Sequence, residues 1–167
     1  IFPWFEKNQP ILWWSPNPRF VLFPEKLKVS KSMKQVLKNH DFTITINLDF
    51  KTVITECAKT KRTGQRGTWI TNSMMEAYMK LHKEGIAKSV EVWQNNILVA
   101  GLYGVDLNNG VFCGESMFTK VSNASKAGFI SFIQNSNYNL IDCQVYTNHL
   151  ASLGAEDISR EDFLGFL

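Results

Sequence analysis

Apolar residues recur at helical spacing in several segments of the chain. In one of them, residues 49–59, the apolar positions form a single face made of Phe50, Val53, Ile54 and Cys57. Polar residues occupy the rest of this segment, which is the pattern of a helix packed on a core. The same spacing predicts the other helices, at residues 30–40, 73–85, 123–135, 149–154 and 159–167.

The segment at residues 73–85 illustrates how the ends of these helices are marked. Ser73 and Glu76 have the spacing of a capping box, in which each side chain bonds to the backbone at the helix start. Gly85 follows the last apolar position, and glycine readily adopts the left-handed conformation that ends a helix. We therefore expect this helix to be capped by Ser73 and to stop at Gly85.

Short apolar or alternating runs lie between the predicted helices. They predict strands at residues 42–48, 89–94, 97–105, 111–118 and 139–145. Connections rich in Asn and Gly join three of these strands, as in antiparallel hairpins. The order of elements predicts an α+β fold with a mostly antiparallel central sheet, and it resembles the GNAT-like N-acyltransferase fold.

Two polar residues interrupt the predicted strand at residues 139–145. Asp142 and Gln144 stand among apolar neighbours and, being two positions apart, are expected on one face of the strand. A buried carboxylate is costly unless it is hydrogen-bonded or paired. The two residues are therefore either a structural contact that ties loops together or part of a functional site, and the pattern leaves both open.

Charged residues are distributed unevenly along the chain. Residues 1–70 hold 12 Lys and Arg against 5 Asp and Glu, whereas residues 71–167 hold 6 against 10. A basic half is typical of contact with a polyanion, and an acidic half suits a cationic partner. A solvated surface of mixed charge explains scattered charges well but explains this division less well.

Composition disfavours several classes of function. No apolar run reaches the ~20 residues of a membrane span, and no signal-peptide pattern opens the chain, so we expect a cytoplasmic protein without a membrane partner. The cysteines, Cys57, Cys113 and Cys143, are scattered and show no zinc-binding spacing with histidine. We expect neither a metal nor a cofactor.

The segment RTGQRG, residues 62–67, bears on the choice of donor. GNAT-like proteins that use acyl-CoA carry an Arg/Gln-x-x-Gly-x-Gly/Ala loop between a strand and a helix, where backbone N–H groups hold the pyrophosphate. RTGQRG lacks this spacing and follows a predicted helix. A CoA donor is therefore disfavoured.

Ten short motifs follow one another along the chain. They are FPWF, ILWWSPNPR, GTWIT, AYMKLHKEG, SVEVW, GLYGV, CGESMF, NASK, LIDCQV and HLASLGA. Together they resemble the leucyl/phenylalanyl-tRNA–protein transferase family over nearly the whole chain. The resemblance implies an enzyme that moves Leu or Phe from Leu-tRNA or Phe-tRNA to the N-terminal Arg or Lys of a protein, marking that protein for degradation. It implies no DNA partner.

The family's members extend beyond both ends of this sequence. We therefore expect residues 1–25, which contain all five prolines, to be the remnant of a small N-terminal domain and its linker. Residues 26–167 are expected to form the GNAT-like catalytic domain.

The resemblance gives three polar residues a role in catalysis or acceptor binding. Asp142 is implied to orient the amide of Gln144, whose oxygen then accepts a hydrogen bond from the attacking α-amine. Glu115, in CGESMF, is implied to pair with the cationic side chain of the acceptor, with Asp142 sharing this task. The alternative for Glu115 is a solvent-facing strand residue.

The remaining implied residues belong to the donor. The family's pocket for the transferred side chain corresponds to apolar positions, and a pocket of this kind favours Leu and Phe and admits Met. Those positions are Leu102, Phe112, Phe129, Phe132 and Ile141. Core packing is the ordinary role of such residues.

Two aromatic residues and a lysine face are implied to hold the tRNA itself. Trp4 and Trp69 are expected to stack on the terminal adenosine, and Lys31, Lys34 and Lys38 to contact phosphates. Two other functions compete with this one: an acyl-CoA-dependent N-acetyltransferase, and a tRNA- or degron-binding module without activity.

Overall fold

The computed structural model of the chain describes residues 1–5, 9–39, 41–61 and 67–167. Six α-helices lie in these ranges: α1 (Lys31–Lys38), α2 (Phe50–Lys59), α3 (Asn72–Lys83), α4 (Ala124–Gln134), α5 (Asn148–Ala151) and α6 (Arg160–Leu164). Each corresponds to a predicted segment. Of the segment RTGQRG, only Gly67 is among the described residues.

Side-chain caps explain where several helices begin. Ser30, Asp49 and Ser159 each accept a backbone N–H from the first turn of α1, α2 and α6. The predicted cap of α3 is wrong, because Thr71 rather than Ser73 accepts the N–H of Met74. Gly85 has a φ of 77° and ends this helix as expected.

Nine strands lie in the described ranges. They are β1 (Phe2–Pro3), β2 (Trp13–Trp14), β3 (Arg19–Leu22), β4 (Thr43–Ile46), β5 (Ala87–Gln94), β6 (Ile97–Asp106), β7 (Val111–Thr119), β8 (Leu140–Gln144) and β9 (Glu156–Ile158). β1 and β2 form a separate two-stranded ribbon. The other seven form one sheet in the order β4-β5-β6-β7-β8-β3-β9.

This seven-stranded sheet is antiparallel except for one pair of strands. β7 and β8 run parallel, with Cys113 beside Asp142, and α4 connects them. A parallel pair needs such a crossover, whereas the hairpins β5–β6 and β6–β7 need only short turns. The predicted α+β class with a mostly antiparallel sheet is confirmed.

Helices cover both faces of the sheet. Leu102 belongs to the core cluster that α1 and α4 contribute to, and its neighbour Tyr103 belongs to the cluster formed with α2 and α3. Adjacent strand residues point to opposite faces, so these two clusters lie on opposite sides of β6. The apolar face predicted for α2 is confirmed, since all four of its residues are buried.

The division into residues 1–25 and 26–167 stays a prediction. β3 precedes that boundary and is nevertheless a strand of the large sheet, between β8 and β9. In the part of the chain that the structure describes, no helix combines the length and apolarity needed to cross a membrane.

Candidate active site

Asp142 lines the candidate site and forms a buried ion pair with Arg19. Arg19 Nε donates to Asp142 Oδ1 at 2.8 Å and its Nη2 to Asp142 Oδ2 at 2.5 Å. The guanidinium carbon lies 5.0 Å from the ring centroid of Phe2 and 4.7 Å from that of Phe163. Because both carboxylate oxygens are bonded to Arg19 and the side chain is 1% exposed, Asp142 is not placed to bind an acceptor's cation. The predicted acceptor-binding role of Asp142 does not fit this geometry.

Asp142 holds the backbone of Gln144 rather than its side chain. Asp142 Oδ1 accepts the backbone N–H of Gln144 at 2.9 Å, and Gln144 has a φ of 67°. β3 pairs Phe20 with Gln144 and Val21 with Asp142, so Cys143 is an extra residue that bulges β8. The contact predicted between Asp142 and the Gln144 amide is therefore replaced by one that fixes the turn on which the amide stands.

The amide of Gln144 is oriented by Glu115 on the neighbouring strand β7. Gln144 Nε2 donates to Glu115 Oε2 at 3.3 Å, and the hydroxyl of Tyr78 also donates to this carboxylate. An amide whose NH₂ group bonds a carboxylate leaves its oxygen as an acceptor for another group. Glu115 thus makes the contact with the Gln144 amide that the family resemblance implied for Asp142.

The carboxyl group of Glu115 has a raised pKa. Burial raises the pKa of Glu115 to about 7, and the hydrogen bonds from Tyr78 and Gln144 oppose that rise only in part. Burial, with the charge of Glu115, raises the pKa of Tyr78, so its hydroxyl remains a donor. A carboxyl group with a pKa near the working pH is suited to general base catalysis.

A largely apolar cavity of about 410 Å³ adjoins Glu115 and Gln144. Four of the predicted pocket residues line it: Leu102, Phe112, Phe129 and Ile141. Its volume is in the usual range for a small-molecule site. The cavity is therefore large enough for an apolar side chain, and its wall includes the polar side chains of Glu115 and Gln144.

Phe132 is the predicted pocket residue that the structure does not bring to this cavity. It lies nearly one turn beyond Phe129 on α4, and its ring packs behind Phe112 with centroids 4.8 Å apart. It also contacts Tyr138 and borders a second cavity with it. Phe132 therefore supports the pocket wall from outside.

Both predicted adenosine-stacking residues reach the cavity. Trp4 and Trp69 line it, and Trp4 is 41% exposed whereas Trp69 is 9% exposed. The ring of Trp69 packs edge-on against Tyr78 with centroids 6.4 Å apart. Trp4 thus has a free face at the mouth of the cavity, and Trp69 forms part of the wall.

The predicted lysine face lies on α1, away from this cavity. Lys31, Lys34 and Lys38 are exposed, and α1 packs through Met33 on the core cluster that includes α4. Within the described ranges, the cavity wall contains no α1 residue. The phosphate-binding role of these lysines stays a prediction.

Three residues of the site were not predicted from the sequence. The sequence did contain a sign that Arg19 is unusual, because it is a lone cation at the start of the buried run RFVL. Tyr78 has the pattern of an ordinary aromatic residue of the core. His149 also lines the cavity; burial, helped by Lys126, lowers its pKa. Among the described residues its buried Nε2 has no hydrogen-bond partner. No group of three or more metal-ligating side chains occurs in the described part of the chain.

Models of known families match almost the entire chain. The model described as leucyl/phenylalanyl-tRNA protein transferase matches residues 21–167. The model described as the N-terminal domain of the same transferase matches residues 1–17.

Individual relatives carry the same description. A leucyl/phenylalanyl-tRNA–protein transferase of Flavobacterium johnsoniae is 58% identical over 170 residues, covering 100% of this chain and 80% of the relative. That of Christiangramia forsetii is 57% identical over 171 residues, covering 100% and 81%. That of Pseudomonas fluorescens is 51% identical over 169 residues, covering 99% and 74%.

Solved structures resemble the chain more distantly. A conserved protein of unknown function from Bacteroides thetaiotaomicron superposes with a TM-score of 0.54 at 14% identity, over 78% of this chain and 51% of that one, which shows a shared fold. A GCN5-related N-acetyltransferase from Kribbella flavida superposes with a TM-score of 0.46 at 11% identity, over 86% and 55% of the two chains.

Proposed function

The chain belongs to the leucyl/phenylalanyl-tRNA protein transferase family and is an aminoacyl-tRNA–protein transferase, and we propose that it transfers Leu, Phe or Met to proteins that begin with Arg or Lys. The observation that supports this donor and acceptor choice is the apolar cavity that ends at Glu115 and Gln144. A carboxylate at the end of an apolar pocket suits an apolar donor and a cationic acceptor. The proposal implies a cytoplasmic location, because charged tRNA is used there.

The reaction exchanges an ester for a peptide bond. The α-amine of the acceptor attacks the carbonyl carbon of the aminoacyl ester, forming the new C–N bond. The amine loses a proton, the C–O bond to the ribose breaks, and the ribose oxygen gains a proton. An aminoacyl ester is already activated, so the protein needs mainly to hold the two reactants and to manage one proton.

Gln144 and Glu115 are the residues we assign to the reacting atoms. The Gln144 oxygen accepts a hydrogen bond from the attacking amine, because its NH₂ group is bonded to Glu115 at 3.3 Å. Glu115 then receives the amine proton or pairs with the acceptor's cationic side chain. Asp142 and Arg19 act as positioning residues through the backbone of Gln144.

A direct assay tests this function. The protein is incubated with radiolabelled Phe-tRNA and peptides that begin with Arg, Lys or Ala, and labelled peptide is counted. We expect label on the Arg and Lys peptides and little on the Ala peptide. Equal labelling of all three would contradict the proposed acceptor choice, and label from acetyl-CoA instead of Phe-tRNA would contradict the donor.

The N-acetyltransferase alternative is not favoured. The relatives that cover this chain at 50–58% identity are described as tRNA–protein transferases. Gln144 bonds both Asp142 and Glu115, and this arrangement around one residue also disfavours a binding module without activity.

Changing Glu115 to Gln is expected to alter the pH dependence of acceptor use. In the wild type, kcat/KM for an Arg peptide should rise through a pH of about 7 as Glu115 loses its proton and gains the charge that attracts the acceptor. The Gln variant should lose this rise and show a KM about 10–100-fold higher at pH 8. Steady-state kinetics from pH 6 to pH 8 measure both effects.

Two controls isolate the role of Glu115. The α-amine of the peptide has a pKa of about 7.7–8.0. The increase in kcat/KM that follows deprotonation of this amine should therefore remain in the variant. Glu84→Gln removes an exposed carboxylate at the end of α3 and should leave the profile unchanged. A wild-type profile that follows the peptide amine alone would contradict the assignment.

The α1 lysines are expected to contribute to tRNA affinity through phosphates. Replacing Lys31, Lys34 and Lys38 together with Ala should weaken binding and flatten the salt dependence, by about one unit of slope per lost contact at most. Filter binding of Phe-tRNA over a range of salt concentrations measures the slope.

A second triple variant controls for net charge. Lys51, Lys80 and Lys83 are exposed on α2 and α3, which cover the other face of the sheet. Their replacement with Ala removes the same charge and should change the slope little. Equal slopes in the two triple variants would show that α1 makes no specific phosphate contact.

A further inference from the structure

The mouth of the active-site cavity continues onto a second exposed tryptophan. Trp4 lines the cavity, and the ring of Trp14 lies next to it with centroids 6.1 Å apart and planes tilted by 52°. Trp14 is 47% exposed and, among the described residues, is not part of the cavity wall. It therefore lies one step outside the pocket.

The register of the small ribbon determines which tryptophan faces the cavity mouth. Phe2 pairs with Trp14, and the backbone N–H of Trp4 bonds to the carbonyl of Leu12, so Trp4 and Trp14 share a face. Trp13 pairs with Pro3 and points to the opposite face, where it is 60% exposed. The same strand thus carries one tryptophan towards the cavity mouth and one away from it.

Trp14 is also held in place. Its indole Nε1 donates to the backbone oxygen of Trp4 at 2.7 Å, which fixes the ring beside Trp4. Large aromatic side chains are seldom left exposed in contiguous groups unless they bind something. Together with Trp4, the exposed ring forms an aromatic platform that is continuous with the proposed donor pocket.

We propose that Trp14 stacks on the nucleotide that precedes the terminal adenosine of the donor tRNA. This rests on the proposed function, together with the role that the family resemblance implies for Trp4 and Trp69 as the residues that stack on the adenosine carrying the amino acid. The next nucleotide then leaves the pocket past Trp4, where it meets the exposed ring of Trp14. Stacking on a tryptophan tolerates any base, and it suits a single-stranded end that all tRNAs share.

Two small donors distinguish stacking of Trp14 on a nucleotide from a role in which Trp14 only holds Trp4 in place. The first is the phenylalanyl ester of adenosine, which has no preceding nucleotide. The second is the phenylalanyl ester of the trinucleotide cytidylyl-cytidylyl-adenosine. We expect Trp14→Leu to raise the half-saturating concentration of the trinucleotide donor about 5–100-fold and to leave that of the adenosine donor unchanged.

Two variants serve as matched controls. Trp14→Phe keeps an aromatic face but loses the N–H that bonds Trp4, so it should retain most of the preference for the trinucleotide donor. Trp13→Leu removes the exposed ring on the other face of the ribbon and should behave as the wild type. Circular dichroism verifies that each variant is folded.

Other results would overturn the proposal. An equal loss for both donors in Trp14→Leu would mean that Trp14 acts only by holding Trp4. If Trp14→Leu changed the half-saturating concentration of neither donor, Trp14 would not contact the donor tRNA. Calorimetric binding of the uncharged trinucleotide and of adenosine gives the same comparison without catalysis, so failure of transfer itself would count against the proposed function and not against Trp14.

Discussion

Replacing Gln144 with Met should lower the rate of transfer from Phe-tRNA to an Arg peptide by about 10²–10⁴-fold. Methionine is unbranched and of similar length, but it has no amide oxygen for the attacking amine and no NH₂ group for Glu115. Of the side-chain hydrogen bonds that Glu115 accepts from described residues, the one from Tyr78 would remain. Single-turnover measurements at saturating substrates give the rate of the chemical step directly.

Controls for this variant test whether Gln144 and Glu115 act together. Gln134→Met makes the same exchange at the exposed end of α4 and should leave the rate unchanged. Residues that act as a unit give non-additive losses, so Gln144→Met with Glu115→Gln should be little slower than the slower single variant. Additive losses would mean that the two side chains act independently, and a rate near that of the wild type would assign Gln144 to packing.

Replacing Arg19 with Met should lower the free energy of unfolding by about 3–5 kcal/mol. The change leaves the carboxylate of Asp142 buried without its counter-ion, and the side chains of this pair are 2% and 1% exposed. The aromatic rings of Phe2 and Phe163 lose their cationic partner as well. Urea unfolding followed by circular dichroism measures the loss.

An exposed ion pair offers the matched comparison. Lys26 pairs with Glu156, but these side chains are 51% and 41% exposed. Lys26→Met should therefore cost no more than about 1 kcal/mol, because water already solvates both charges. If Arg19→Met and Lys26→Met lowered the free energy of unfolding by similar amounts, burial would not explain the effect at Arg19.

A double variant separates folding from catalysis. Arg19→Met with Asp142→Leu removes both charges of the pair, so it should recover most of the stability lost in Arg19→Met. It also removes the oxygen that accepts the backbone N–H of Gln144, so transfer should remain slow. Recovery of both properties would show that the ion pair does not position Gln144.

Local patterns in the sequence predicted the elements of the fold well. The apolar face of α2, the stop at Gly85 and the strands β5, β6 and β7 each depend on residues a few positions apart. Hydrogen-bonded turns and alternating side chains are set at that range, which is why periodicity detects them. The cap of α3 was misplaced by two residues, because Thr71 and Ser73 are both suitable caps.

Most of the candidate site was also predicted, but through the resemblance to a family. Leu102, Phe112, Phe129 and Ile141 meet Trp4 and Trp69 around one cavity. Taken singly, each of these apolar residues has the pattern of an ordinary core position. Phe132 has the same pattern, and only packing on Phe112 distinguishes it from the residues of the cavity wall.

The amino-acid sequence by itself determined the helices, five of the nine described strands and the presence of a carboxylate and an amide in a buried strand; β1, β2, β3 and β9 were not predicted. The tertiary structure decided what these two groups do. Arg19 and Asp142 are 123 residues apart in the chain, and a bulge at Cys143 with a positive φ at Gln144 turns the amide towards Glu115. Pairings at such separation depend on how strands assemble in the sheet, and no periodicity within a few residues encodes them.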